Sequence, residues 1–568
     1  HFYFQQTDET LFTENETNTQ RLFNFPNKTA FVKDAFHEAI AQGNQYMHQL
    51  CREKQQGTKF APVYRLKIEG KSSATITLRL VNQELAEPFG KNFETVFKDR
   101  LKDADEFYES FHPKDSALDT DKIQRQAFAG LIWTKQYYHY DIERWLEGDP
   151  GLPKPPANRK NGRNNKWKHL KNEDVISMPD KWEYPWYAAW DLAFHCVPMS
   201  LIDPVFAKNQ LILMCREWYM SPLGQLPAYE WNFFDVNPPV HAWAALSVYR
   251  IEKAVHKNTD VDFLKRIFQK LLINFTWWIN RKDENDNNIF EGGFLGLDNI
   301  GVFDRSNLPP GSFLEQVDGT SWMAMYALNM MDIALEIAVH DAAFEDVATK
   351  FYEHFVMIAE SLNEVGLWDE EDSFYYDLLY LNDGSVRRVK IRSMVGLSVL
   401  FAVSIIDSEK LKKLPDFIKK INYFRNYRQK TGKYLPIEHD TEDGSTLVTM
   451  VNKERLVKLL QKMLDENEFL SPGGIRALSK FHDRNPYSLN IHGNDYGIRY
   501  VPGESDSGMF GGNSNWRGPV WMPVNYLLVK ALKKYHQFYG NNLKVEYPTG
   551  SGNFMNLLEV SNALAKRI

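Results

Sequence analysis

The chain has only three cysteines in 568 residues, Cys51, Cys196 and Cys215, widely spaced and without a CxxC pair. That excludes a disulfide framework and a paired-cysteine zinc site, and it favours a reducing compartment, so the expected location is the cytoplasm. No apolar run reaches the roughly eighteen residues of a helical span, so no membrane partner is expected. Positive charge is not in excess: 67 Lys and Arg face 74 Asp and Glu, for a net charge of -7 and a pI near 6.2. That balance argues against nucleic acid as a partner. No fixed repeat period is visible, which disfavours a regular solenoid. The segment DENDNNIFEGG sets Asp283, Asn285 and Asn287 at calcium-loop spacing. However, Asn288 stands where such a loop needs glycine and Phe294 where it needs glutamate, so it reads as a turn and no metal is expected. No cofactor is expected, and no glycine-rich loop with Lys or Arg offers a phosphate cradle. The sequons at Asn15, Asn27 and Asn274 decide nothing. An initiator Met and a signal peptide are also missing. HFYFQQ reads as the inside of a strand and LLEVSNALAKRI as a helix still running, so the expectation is an internal segment of a longer protein.

Aromatic residues are abundant, at 14% with 15 Trp, 27 Tyr and 37 Phe, in a chain otherwise of ordinary composition (43% hydrophobic, 25% charged). Aromatic faces stack on the apolar faces of sugar rings and also build large cores. Residues 1–115 look β-rich. Phe2 to Gln5 and Ala61 to Leu80 alternate, with Glu69-Gly70-Lys71 as a hairpin turn, and a helical insertion lies at Phe31 to Gln55. This region is expected to be part of a β-sandwich. Residues 116–568 are expected to form one mainly α domain. Leu264, Phe268, Leu271, Phe275 and Trp278 keep helical spacing, as do Ala244, Val248, Ile251 and Val255, and Met325, Leu328, Leu335 and Val339. Such stripes are core-forming. One hairpin interrupts them, with Asn382-Asp383-Gly384 as its turn. Paired helices joined by aromatic, glycine-rich loops predict an α/α toroid. Gly148 to Asn172, rich in Pro, Asn and Lys, reads as a long surface loop.

Four joints between helices concentrate Trp, Tyr, Asn, Arg and carboxylates. They are PWYAAWDLAFH (185–195), GQLPAYEWNFFDVNPPVHAWA (224–244), GGFLGLDNIGVFDRS (292–306) and ESDSGMFGGNSNWRGPVWMPVNY (504–526). Amides, carboxylates and guanidinium groups beside indoles suit a hydroxyl-rich ring, which needs hydrogen bonds at its edge and stacking on its face. Singly, each has a plainer reading. Trp186, Trp190 and Trp243 could be core and Asp191 a buried ion-pair partner, while Pro238-Pro239 before His241 and Pro519 could mark helix starts. In a toroid the four joints gather at one mouth. The candidate lining residues are Trp186, Trp190, Asp191, Tyr229, Glu230, Trp231, Asn237, Trp516 and Arg517. In the third joint Asp298 sits among glycines and apolar side chains. A carboxyl in such surroundings keeps its proton to higher pH, as a proton donor requires. A turn or cap aspartate is the plainer alternative.

PWYAAWDLAFH, GQLPAYEWNFFDVNPPVHAWA, LGLDN and NWRGPVWMPVNYL resemble, in order and spacing, glycoside hydrolase family 63. That group includes processing α-glucosidase I and the bacterial glucosidase and mannosylglycerate hydrolase relatives, and the likeness here is to a less characterised glucosidase-like branch. The resemblance covers about residues 119–568. It implies an (α/α)6 catalytic barrel, often preceded by a β-sandwich, and hydrolysis of an α-glycosidic bond, here α-glucosidic, with inversion. It also implies that Asp298, in the match Leu297-Asp298-Asn299 to the family's G-[LM]-D-[DN] loop, is the general acid. The family often continues directly with Pro-Arg, whereas here Arg305 comes six residues after Asn299. Inversion needs a second carboxylate across the sugar to activate water. The family's base motif finds no match before Ile568, so the base is expected beyond it, with Glu504 or Asp506 as fallback. Glu230 and Asp235 read as sugar ligands or loop braces. A protein of these 568 residues alone is then expected to turn sugar over slowly. Alternatives are a trehalase-like or phosphorylase-like enzyme on the same fold, or a non-catalytic carbohydrate-binding toroid.

Overall fold

The structure is a computed structural model that describes residues 1–568 except 8, 114–115, 163, 180–187, 230–231, 282–287, 291–299, 304, 306–307, 434–436, 440–443 and 504–518; the side chains of 227, 229, 232–235 and 437–439 are likewise outside the description. The helices are α1 (Thr19–Phe23), α2 (Gln45–Glu53), α3 (Lys91–Glu109), α4 (Leu118–Trp133), α5 (Ile142–Glu147), α6 (Ala189–Ile202), α7 (Pro204–Met214), α8 (His241–Ile251) and α9 (Val261–Ile279). They continue with α10 (Val317–Ala338), α11 (Phe344–Glu364), α12 (Met394–Leu397), α13 (Ser408–Leu411), α14 (Pro415–Lys430), α15 (Lys453–Met463), α16 (Phe481–Arg484), α17 (Met522–Tyr539) and α18 (Leu557–Arg567). Among the described residues the strands form only two- and three-stranded sheets. The chain divides into two compact units, residues 1–125 with 143–162, and residues 126–142 with 163–568.

In the first unit, Phe2–Phe4 pairs antiparallel with Leu78–Leu80, and Glu9–Thr13 with Lys59–Val63. The rings of Phe4 and Phe12 pack on Phe60 at 5.4 and 4.8 Å. The helical insertion is present as α2 and a short π-helical turn, His37–Ala41, before it. The Glu69-Gly70-Lys71 hairpin does not form. Residues 70 and 71 turn, but the segments beside them pair with nothing, and the strands farther out pair elsewhere. Leu66 and Ile68 are 53% exposed, so this ribbon has no core to cover, and an isolated hairpin is marginal in water.

The second unit is helical and its helices sort by pattern. α9 buries one stripe, including Leu264, Phe268, Leu271, Phe275 and Trp278, and leaves Ile273 to solvent. Its start is capped by the Asp260 side chain, which accepts from the Phe263 N–H. α10 is buried on every side, as an inner helix must be. Phe275 of α9 meets Tyr326 of α10 and Phe351 of α11 edge-on at 5.1 and 4.8 Å. The other two stripes run out at their ends, where Val255 and Val339 are exposed. The hairpin at residues 377–389 forms as expected, with Gly384 at φ 81° in its turn, a conformation glycine adopts without strain.

Four inner helices run parallel. Along α6 and α8, the Trp190 N–H faces the Asn237 Oδ1 at 3.4 Å, Phe194 packs on Trp243, and the Ser200 carbonyl lies 3.0 Å from His256 Nε2. Along α8 and α10, Arg250 near the end of one lies 3.8 and 3.9 Å from Asp332 and Glu336 late in the other. α17 joins with Tyr526 against Trp243 at 6.1 Å, and with Lys534 beyond it. The N-terminal turns of α6, α8 and α17 therefore lie together at one end. α17 begins at Met522, with Trp521 as its N-cap and Pro523 in its first turn, rather than directly behind Pro519. All three cysteines are buried and free. No helix among the described residues is long and apolar enough to cross a membrane.

Candidate active site

Each joint is fastened by its own local chemistry. At the first, Trp190 is 2% exposed in the opening turn of α6, its ring edge-on to Phe194 at 5.8 Å. Asp191 follows it, half-buried, one helical turn before His195. The Asp191 charge favours imidazolium at His195, but burial outweighs it and holds the His195 pKa below its ordinary value. His195 Nδ1 lies 2.9 Å from Ser177 Oγ.

At the second joint, Pro238-Pro239 precede α8, which starts at His241 as a proline-led helix start predicts. Buried Asn237 carries the oxygen that faces the Trp190 N–H, so the first two joints meet through main chain and amide. A row of rings, Trp190 to Phe194 to Trp243 to Tyr526, then crosses from α6 through α8 to α17. The 185–195, 224–244 and 504–526 segments thus converge at least at these residues. His241 itself is 3% exposed, and burial depresses its pKa to about 4, leaving a neutral imidazole at the mouth. Its Nε2 has no hydrogen-bond partner among the described residues.

At the third joint the residues on both sides of 291–299 are tied to the first turn of α10. The Phe290 N–H donates to Thr320 Oγ1 at 3.1 Å. On the other side Arg305, only 5% exposed, donates from Nη1 to both Asp318 carboxylate oxygens at 3.0 and 2.7 Å, and from Nη2 to Asp377 at 3.2 Å. Asp377 also accepts from the Val317 N–H at 2.8 Å, which caps the helix start. Burial and the Asp318 charge raise the Asp377 pKa, and Arg305 offsets only part of that. The sign follows: this carboxyl favours folding at low pH, and that contribution is lost as pH rises from the ordinary aspartate value through its raised one.

At the fourth joint the Asn525 side chain replaces a strand. Its Oδ1 accepts from the Ile475 N–H at 2.7 Å, and its Nδ2 donates to the Ile475 and Trp521 carbonyls at 3.0 and 2.9 Å. Beside it the Ala477 N–H donates to the Pro519 carbonyl, and the Met394 N–H to the Ala477 carbonyl, which laces α12 to the start of α17. Asn525→Ala leaves both Ile475 backbone groups buried and unpaired. At about 1–3 kcal/mol for each unsatisfied group, the expected loss is about 3 kcal/mol, read from denaturant unfolding.

The structure brings Trp190, Asp191 and Asn237 together. Tyr229 closes the strand Pro227–Tyr229, and Asp235 lies in its partner Asn232–Val236, with both side chains outside the described residues. Trp186, Glu230, Trp231, Asp298, Glu504, Asp506, Trp516 and Arg517 lie outside the described residues, as do Asp283, Asn285 and Asn287. Sequence reading missed His241 beside the first two joints and the Arg305–Asp318–Asp377 cluster, because Asp318 and Asp377 lie outside the four joints and only the fold brings them to Arg305. Among the described residues no group of three or more His, Cys, Asp or Glu could hold a metal.

Residues 184–293, which span the first two joints, match the family described as mannosylglycerate hydrolase MGH1-like glycoside hydrolase domain. Over 98% of its length the chain is 46% identical to the uncharacterized protein YMR196W of Saccharomyces cerevisiae, and it covers 54% of that protein. The chain thus spans about half the length of the curated relative it matches. Among solved structures it is similar to the GH63 mannosylglycerate hydrolase of Thermus thermophilus in complex with glucose. That likeness has 14% identity and a TM-score of 0.43, and covers 69% of this chain and 87% of that one. It is also similar to the neutral trehalase Nth1 of Saccharomyces cerevisiae, at 14% identity, a TM-score of 0.38, and coverage of 69% and 73%.

Proposed function

From the premise that residues 184–293 form an MGH1-like glycoside hydrolase domain in a chain related to glycoside hydrolase family 63, we propose that the protein hydrolyses an α-glycosidic bond, with an α-glucoside as its substrate and inversion at the anomeric carbon. The observation that carries this reading is the meeting of the opening turns of α6, α8 and α17, over the stretch that matches the domain. Such a meeting offers what a pyranose needs. Asn237 supplies an amide, Asp191 an acceptor, and the parallel helix N-termini partial positive charge toward hydroxyl oxygens, while Trp190 and Trp243, both buried, form the packed wall behind them. Asp298 acts as the general acid, and the short tethers at Phe290 and Arg305 support its placement by limiting the reach of the intervening loop. Trp186, Tyr229, Glu230, Trp231, Trp516 and Arg517 complete the sugar site.

The finer architecture belongs to the same proposal. The inner helices are members of a six-fold (α/α) ring spanning 116–568, preceded over 1–115 by part of a β-sandwich, and the ring's closing element together with the general base comes from further chain of the same polypeptide.

The test is sugar release by the full-length polypeptide from a panel of α-glucosidic disaccharides, trehalose and mannosylglycerate, followed by proton NMR within the first minutes. Inversion predicts that the β-anomer of glucose appears first and then mutarotates. An α-anomer first product, or release that depends on inorganic phosphate, overturns the reading. Binding without release on every substrate favours a non-catalytic carbohydrate-binding protein.

A further inference from the structure

A cavity of about 230 Å³ lies among the four inner helices, and its walls are apolar along most of their length. It is elongated. α8 and the π-helical turn Glu252–His256 that continues it face the cavity with Trp243, Leu246, Arg250 and Ala254, and α17 with Tyr526, Lys530 and Lys534. At 1.5 Å per residue the α8 stretch spans roughly 16 Å. A small ligand is held at one level of such a bundle, whereas a groove following two parallel helices for about three turns presents the ridges on which another helix packs.

The charged side chains lining the groove are cations, Arg250, Lys530 and Lys534, beside the neutral Ser247, Asn329 and Tyr526. Asn329 is 4% exposed and its Nδ2 has no partner among the described residues. At the C-terminal end of the helices, Lys534 donates to the Val403 carbonyl at 2.7 Å, and Arg250 reaches Asp332 and Glu336 only at 3.8 and 3.9 Å. Those two acids are already engaged, Asp332 by the Ser404 hydroxyl and Glu336 by Lys410 at 2.6 Å. Lys253 and Lys533 add further positive charge nearby. Cations at helix C-termini are favourable in themselves, and when solvated they titrate normally. Here burial and the neighbouring cations Arg250 and Lys530 pull Lys534 down to about 8, against a partial offset by Asp332, and Lys530 is lowered as well. The groove has positive charge without enough negative charge to match it.

We propose that this groove is the seat of an apolar helix from the remainder of the same polypeptide, and that this helix carries an Asp or Glu that pairs with Lys530 and Lys534. The proposal rests on the ring reading above and adds the chemistry of the contact. Charge complementarity selects an acid, and the apolar walls around Trp243, Leu246 and Tyr526 select a helix apolar on its remaining faces. The source is the same polypeptide because a curated relative extends to nearly twice this length.

The experiment is zero-length carbodiimide cross-linking of the full-length polypeptide, mixed from unlabelled and nitrogen-15-labelled preparations, followed by peptide mass spectrometry. The reagent activates a carboxylate, the neighbouring lysine Nζ displaces the urea, and an amide forms with net loss of one water. The expected product joins Lys530 or Lys534 to an acidic residue of an apolar helix outside residues 1–568, with both peptides carrying the same label. Links only to Asp332 or Glu336, mixed-label pairs that report a second copy, or no link at these lysines overturn the proposal. Sugar release by the same preparation reads the glycosidase assignment separately, so either can fail alone.

Discussion

Asp298→Asn lowers kcat on an unactivated α-glucoside by about a hundred- to ten-thousand-fold, the usual contribution of a general acid. The asparagine keeps the shape and the hydrogen-bonding capacity of the aspartate but has no proton to give the departing oxygen. KM changes little, because the lost interaction is made in the transition state rather than in the ground state. Two further readouts separate proton donation from mere damage to the loop. With a nitrophenyl leaving group, which departs without a proton, most of the loss disappears. The alkaline limb of the pH–rate profile, set by deprotonation of the acid, disappears in the variant as well. Wild-type kcat on the unactivated substrate, or an equal loss on both substrates, removes Asp298 from this role.

The second large effect is on folding. Arg305→Met leaves Asp318 and Asp377 buried beside one another without the cation that serves both. Breaking a buried ionic cluster from one side costs about 3–5 kcal/mol, since the remaining charges stay desolvated and unpaired. Without the Arg305 charge that lowers it, Asp377 holds its proton more tightly, so the variant's deficit has a pH dependence of defined sign. Protonated carboxyls carry no charge to strand. The loss of stability is therefore largest near pH 8 and shrinks toward pH 5, as the raised folded-state pKa of Asp377 requires. Thermal unfolding of wild type and variant at the two pH values measures this. An equal deficit at both, or a Tm within a degree or two of wild type, shows that the cluster does not hold the start of α10. Because Arg305 also closes the segment after Asp298, kcat is expected to fall with stability, and a variant that stays folded at pH 5 allows the two losses to be separated.

Much of this protein follows from local pattern. The stripe from Leu264 to Trp278 repeats every three to four residues with apolar side chains, and that spacing needs no tertiary information to become the buried face of α9. Asn382-Asp383-Gly384 makes its turn because glycine alone adopts positive φ without cost. Pro238-Pro239 lie just ahead of the α8 N-cap Val240, where neither interrupts a helical hydrogen bond. The four aromatic joints were legible because they depart from what a helix core or an ordinary loop contains. Other features depended on partners distant in sequence. The Glu69-Gly70-Lys71 turn had a good local signal but no apolar surface for its ribbon to cover, and its flanking strands took partners dozens of residues away. Asp318 reads as one more polar residue in FLEQVDGTS. Only the fold sets it beside Arg305 and Asp377, the latter pair more than seventy residues apart in the chain. The same holds for Asn525, whose amide finds the backbone of Ile475 fifty residues earlier. The sequence by itself determined where several helices run and start, and which stretches gather Trp, Tyr, Asn, Arg and carboxylates, because periodicity, proline and glycine act within a turn or two. The tertiary structure alone decided that α6, α8, α10 and α17 run parallel, that the first turns of α6, α8 and α17 lie together, and that Arg250, Lys530 and Lys534 line one groove. Those arrangements are set by burial and charge pairing between residues that no local rule connects.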